Sequence, residues 1–150
     1  MRKVVLKFSV LCALALIFTS CDKDEKIITS DNLPSLANSF LNDYFKDVNI
    51  VSITEEMDVI EGAEFEVLFS NGMEVTFDKN GEWDEVEAHD DKVAIPTSFI
   101  LPSIVSYVNE NYSPALINSI DKEKSTFEVE LTNGIDLIFT LQGEFLKAKL

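Results

Sequence analysis

The sequence predicts an α+β fold: two tandem helix-plus-antiparallel-meander repeats, with the helices on one face of an antiparallel sheet. Three observations predict it. Residues 65–83, FEVLFSNGMEVTFDKNGEW, return at 127–145 as FEVELTNGIDLIFTLQGEF, with eight of nineteen positions identical. Both copies alternate apolar and polar residues around an Asn-Gly pair, the pattern of a half-buried β-hairpin. Each copy follows a Leu-Pro pair and a stretch whose apolar residues recur at helical spacing, at 33–45 and 101–112.

The N-terminus comes first in chain order. Arg2, Lys3 and Lys7 precede an apolar run, 8–18, too short to span a bilayer comfortably. Thr19 and Ser20 then lead to Cys21. Small residues before a Cys at the end of such a signal resemble a bacterial lipobox. Residues 1–20 are therefore expected to be a lipoprotein signal peptide and Cys21 the lipidated residue. Cys12 leaves with the signal, so neither a disulfide nor a catalytic thiol is expected in the mature chain. Residues 21–32 are polar apart from Ile27 and Ile28 and are expected to form a flexible acidic tether. The acidic stretch after Cys21 resembles the export signal of outer-membrane lipoproteins in the Bacteroidetes. The expected location is the envelope of a Gram-negative bacterium, as an outer membrane lipoprotein, surface-exposed or periplasmic.

Residues 33–150 are expected to form one compact domain, with repeat 1 at 33–92 and repeat 2 at 93–150. In repeat 1, Leu36, Ala37, Phe40, Leu41, Tyr44 and Phe45 make the apolar stripe of a helix that starts near Pro34. Residues 48–54 are β-branched and alternate, which reads as a strand. The acidic stretch 55–58 reads as a bend, followed by Val59 and Ile60. Residues 64–70 and 73–77 pair through Asn71 and Gly72, which suit a type I′ turn because both tolerate positive φ. Residues 78–81 turn at Gly81, and 82–89 form a further arm. A linker, 93–100, leads to repeat 2. Its helix carries Ile104, Val105, Tyr107, Val108 and Tyr112. Its strands are 118–121, 126–132, 135–141 and 144–150, with turns at Asn133-Gly134 and Gln142-Gly143. One repeat of about 55 residues buries too little apolar surface to be more than marginal, so two must share a core.

The Leu-Pro pairs, the helix ending near Tyr44 or Tyr112, the Asn-Gly hairpins and the Gly-Glu-aromatic ending resemble the PepSY-like repeat. The chain resembles the β-lactamase-inhibitor-like, PepSY-like lipoproteins of Bacteroidetes. That resemblance implies one continuous antiparallel sheet with helices on one face. In the inhibitor namesake the open face of the sheet grips a protein. The shared motif consists of turns and core positions and contains no chemical group.

Charge narrows the partners. The formal net charge is −15 and becomes −18 when Arg2, Lys3 and Lys7 leave with the signal. Such a surface repels phosphate backbones and anionic headgroups, so nucleic acid is not an expected partner, and membrane contact is expected through the N-terminal lipid only. A basic protein, a cation or a neutral glycan is compatible with it. His89, with Asp90 and Asp91 after it, is the only histidine. Adjacent strand residues point to opposite sides, so these three are not expected to form a metal site. The acidic run 82–91 lacks the spaced ligands and Gly of an EF-hand. With one His, no free Cys in the mature chain and no Gly-x-Ser-x-Gly elbow, a hydrolase triad has no candidate. Neither a catalytic residue nor a cofactor is expected. Trp83 either points into the core or faces out among Glu82, Asp84 and Glu85 as an aromatic anchor. These four are the candidate partner-binding residues. Asn71, Gly72, Gly81, Asn133, Gly134 and Gly143 are expected to be structural turn residues. The expected function is a lipid-anchored, non-catalytic envelope module, monomeric, that binds or inhibits a protein through an acidic sheet face. The alternatives are capture of a small ligand, glycan or cation, and a purely structural envelope role.

Overall fold

A computed structural model describes residues 24–58 and 62–149. The expected signal peptide, Cys21, and Val59 and Ile60 lie outside these residues. The described chain is an α+β fold with a nine-stranded antiparallel sheet whose strands are ordered as in the sequence. The strands are β1 (Asp24–Ile27), β2 (Ile50–Asp58), β3 (Gly62–Phe69), β4 (Met73–Phe77) and β5 (Trp83–Ala88), then β6 (Ile117–Lys122), β7 (Thr126–Leu131), β8 (Asp136–Thr140) and β9 (Phe145–Lys149). Helix α1 (Ser35–Tyr44) precedes β2, and α2 (Pro102–Tyr112) precedes β6.

Strand parity assigns the two faces. Val67, Val75, Val86, Ile120, Val129 and Leu137 lie in one cross-strand row, and all are almost fully buried. Both helices cover this face. Ala37 and Leu41 of α1 and Ile104 and Val108 of α2 are their buried residues. The stripe expected on α1 is only partly covered, since Leu36 is exposed and Phe45 is buried just past the helix.

The helices dock through aromatic contacts of matching geometry. Phe40 of α1 meets Phe77 edge-on at 5.7 Å and stacks on Trp83 at 6.3 Å. Tyr107 of α2 meets Phe139 edge-on at 5.5 Å and stacks on Phe145 at 4.4 Å. Glycines let each helix start close to a turn. A Cβ on Gly81 would lie 2.8 Å from the Ala37 nitrogen, and one on Gly143 would collide with the Ser103 hydroxyl.

Three expectations need correction. Residues 24–32, assigned to a flexible tether, instead contribute an edge strand and a short 3-10 turn. β1 pairs with β2 in register from Asp24↔Met57 to Ile27↔Thr54, and Ile28 is buried in the core. The polar sequence hides this because an edge strand needs backbone pairing and one buried anchor rather than an apolar face. The bend expected at 55–58 is absent, since β2 runs on through Asp58 paired with β3. The hairpin turns are not type I′. Every positive-φ residue among those described is a glycine, so Asn71 and Asn133 are excluded from that conformation. The turn closes one residue earlier, with Gly72 N donating to Phe69 O and Gly134 N to Leu131 O. The Asn71 side-chain oxygen accepts from Met73 N, which keeps the Asn in an Asx-type turn and leaves positive φ to Gly72 alone.

Candidate functional site

The sheet face away from the helices is acidic. The alternation that buries Val67 and Val75 sends Glu66 of β3 and Glu74 of β4 to this face. Glu85 and Glu87 of β5, Asp121 of β6, Glu128 and Glu130 of β7 and Asp136 of β8 follow by register. Strand by strand, Glu74 stands opposite Glu87, Glu85 opposite Asp121, Asp121 opposite Glu128, and Glu130 opposite Asp136. Like charges directly opposite destabilise a sheet. The positions of β3–β8 on this face carry no Lys or Arg to offset them. Basic groups enter from the rim. Lys149 of β9 pairs with Glu128, and His89, just past β5, contacts Glu74 and Glu87.

The crowding is felt in the ionisation of these groups. Burial, followed by the charge of Glu66, pushes Glu74 up to about 7, with His89 opposing. Burial, then Glu123, Glu128 and Asp84, push Asp121 up to about 6, with Lys149 opposing. Glu66 is also raised, by burial and then by Glu25 and Glu56.

His89 sits within 3.2 Å of Glu74 Oε2 and 3.3 Å of Glu87 Oε1 through its Nε2. Its backbone N–H donates to Gly72 O, so the hairpin turn fixes where the ring starts. Chain order suggests Asp90 and Asp91 as the partners of His89. The partners are instead Glu87, two residues back on the same face, and Glu74, brought across by pairing of β4 with β5. The i, i+2 spacing of Glu87 and His89 is the signal available in the sequence.

The four candidate partner-binding residues do not form one group. Trp83 is half-buried on the helix face, stacked on Phe40 and Phe127. Glu85 lies on the opposite face, opposite Thr76. A bulge after Thr76 makes the difference: Thr76 pairs with Glu85 and Phe77 with Trp83, so Asp84 is the extra residue. Glu82 is exposed and pairs with Lys122 at 3.2 Å, and the same Lys lies 6.0 Å from the Trp83 ring. The turn residues Gly72, Gly81, Gly134 and Gly143 all have positive φ.

Asn118, the only buried polar residue among those described, ties the two halves together. It is the extra residue of a bulge in β6, and its amide reaches the carbonyls of Val93 at 2.8 Å, Asp90 at 2.9 Å and Ala88 at 3.3 Å. Among the described residues, no helix is long and apolar enough to cross a membrane.

This architecture has known relatives. Residues 63–147 match the model of the family "Putative beta-lactamase-inhibitor-like, PepSY-like". The chain belongs to that family. It is similar to a solved "putative calcium-regulated periplasmic protein" from Bacteroides thetaiotaomicron, with 32% identity and a TM-score of 0.79, covering 85% of this chain and 98% of that one. It is also similar to two solved proteins from Bacteroides vulgatus, each named a "putative periplasmic protein". One has 31% identity and a TM-score of 0.77, covering 85% of this chain and 98% of that one. The other, of unknown function, has 25% identity and a TM-score of 0.76, covering 84% of this chain and 99% of that one. No curated protein matches the chain. The neighbours support a periplasmic or envelope location, and neither they nor the family indicates catalysis.

Proposed function

We propose that this protein is a non-catalytic binding module of the cell envelope whose acidic sheet face receives a basic surface of a protein partner. The observation that carries the reading is the row Glu85–Asp121–Glu128, three carboxylates directly opposite one another on adjacent strands. Such a row carries a standing repulsion that a cationic partner relieves on binding. The row lies on the face the helices leave uncovered, so a partner reaches it without unfolding anything. The same reading holds Cys21 to be the lipid anchor, on an outer membrane lipoprotein.

Two α-plus-four-strand units in tandem are part of this proposal. The paired aromatic geometry at Phe40/Phe77/Trp83 and Tyr107/Phe139/Phe145 supports it. Such a pair makes one broad sheet face available where one unit offers half.

The test is capture from envelope extracts on the immobilised protein at low and at high salt. A partner held at low salt and released at high salt is expected, because exposed charge pairs are screened. Capture that ignores salt would refute the electrostatic basis. A second reading draws on the relative named as calcium-regulated: crowded carboxylate oxygens suit a hard cation. Calorimetric titration with calcium separates it, since saturable calcium binding in the absence of any protein partner would favour it.

A further inference from the structure

The geometry points to a transition-metal site of the zinc class formed by Glu74, Glu87 and His89 at the rim of the acidic face. The three residues each offer one ligand atom, and these atoms lie within 4.8 Å of one another. Two of the three distances already suit a tetrahedral ion. Zn–N and Zn–O bonds of about 2.1 Å place neighbouring ligand atoms about 3.4 Å apart. The His89 Nε2 lies 3.2 Å and 3.3 Å from the two carboxylate oxygens. Closing the set requires the two Glu oxygens, which lie no more than 4.8 Å apart, to approach to about 3.4 Å.

The backbone presents the set. Glu74 and Glu87 are directly opposite on β4 and β5, and His89 follows Glu87 by two residues. Glu74 is the most enclosed, with its side chain 17% exposed, whereas Glu87 and His89 are 37% and 48% exposed. An ion can thus enter from solvent and meet one anchored carboxylate and two adaptable ligands. Three protein ligands leave the fourth position of a tetrahedral ion to water or to a partner's side chain.

The donor set selects the metal class. One imidazole nitrogen with two carboxylates suits zinc and its divalent neighbours. Calcium takes about six to eight oxygens and gains little from a nitrogen. This inference shares the acidic face with the proposed function but does not depend on a protein partner. Replacing His89 leaves the Glu85–Asp121–Glu128 row intact, so the two fail separately.

The test is calorimetric titration of the purified, chelator-treated protein with zinc chloride, and separately with calcium chloride. One zinc per chain is expected. His89→Ala should weaken binding by about tenfold or more, since even removing a group that merely orients a ligand costs that much. Glu87→Gln should weaken it as well, while Asp90→Asn, adjacent to His89 but outside the set, should not. His89 and Glu87 are partly exposed, and circular dichroism checks that both variants fold. Absence of stoichiometric zinc binding would overturn the assignment. So would zinc binding unchanged in His89→Ala, or calcium binding of equal strength that is lost in the same variants.

Discussion

Asp121→Asn should stabilise the fold at neutral pH and do nothing at low pH. Asp121 is half-buried between Glu85 and Glu128, and its carboxyl is raised from 3.8 to about 6 by burial first, then by Glu123, Glu128 and Asp84. A raised carboxyl means the folded chain binds more protons than the unfolded chain between these two values. Stability from this group therefore falls as pH rises from about 4 to about 6, and the cost is complete above that. For a carboxyl fully shielded from water, a rise of this size corresponds to about 3 kcal/mol. Asp121 is half in water, and screening reduces this to on the order of 1 kcal/mol. Asn keeps the size and removes the charge. Urea unfolding at pH 7.5 should show a gain of that order for the variant, and at pH 4 the two proteins should coincide. An equal gain at both pH values would refute the reasoning, because it would come from packing or the unfolded chain. A loss at pH 7.5 would mean that the attraction of Lys149 outweighs the repulsion.

Further outcomes follow from the same geometry. Gly134 has positive φ with nothing within 4 Å of a Cβ, so Gly134→Val should cost about 1–2 kcal/mol from backbone strain alone. Gly81→Ala should cost clearly more in the same thermal-unfolding assay, since its Cβ also meets Pro34 and the α1 backbone; equal costs would mean that α1 is not seated on the turn. Asn118→Ala should destabilise by about 1–3 kcal/mol, because the carbonyls of Ala88, Asp90 and Val93 each lose the hydrogen bond from its amide. An unchanged denaturation midpoint would mean that the Asn118 hydrogen bonds contribute nothing to the fold. Cys21→Ala should move the protein from the membrane fraction to the soluble fraction on cell fractionation, as the proposed lipid anchor requires.

The turns and the buried rows are legible in the sequence because they depend on local chemistry. Gly72 and Gly134 mark chain reversals, and the alternation at Phe65, Val67 and Phe69 marks the covered face. The turn type is not legible, because the Asn71 side chain competes for the backbone, an interaction the Asn-Gly pair alone does not reveal. Trp83 is undecidable from its neighbours because a bulge at Asp84 shifts parity by one, and bulges leave no reliable mark on a polar strand. β1 escapes notice because an edge strand is specified by its neighbour. The His89 cluster needs the register of β4 against β5, which that same bulge and the turn at Gly81 set together. What the sequence shows for the site is the quantity of negative charge. Its concentration on one face becomes visible only when the strands are laid side by side.

The most direct measurement is the affinity of the captured partner for two neutralised sets of variants. One set carries Glu85→Gln, Asp121→Asn and Glu128→Gln on the acidic face; the other carries Asp43→Asn, Glu110→Gln and Glu144→Gln, at exposed positions outside that row. If the acidic sheet face is the binding surface, the first set loses affinity and most of its salt dependence, and the second behaves as the unaltered protein. Equal losses in both sets would mean that the partner reads overall charge, and retained affinity in the first set would place binding elsewhere on the molecule.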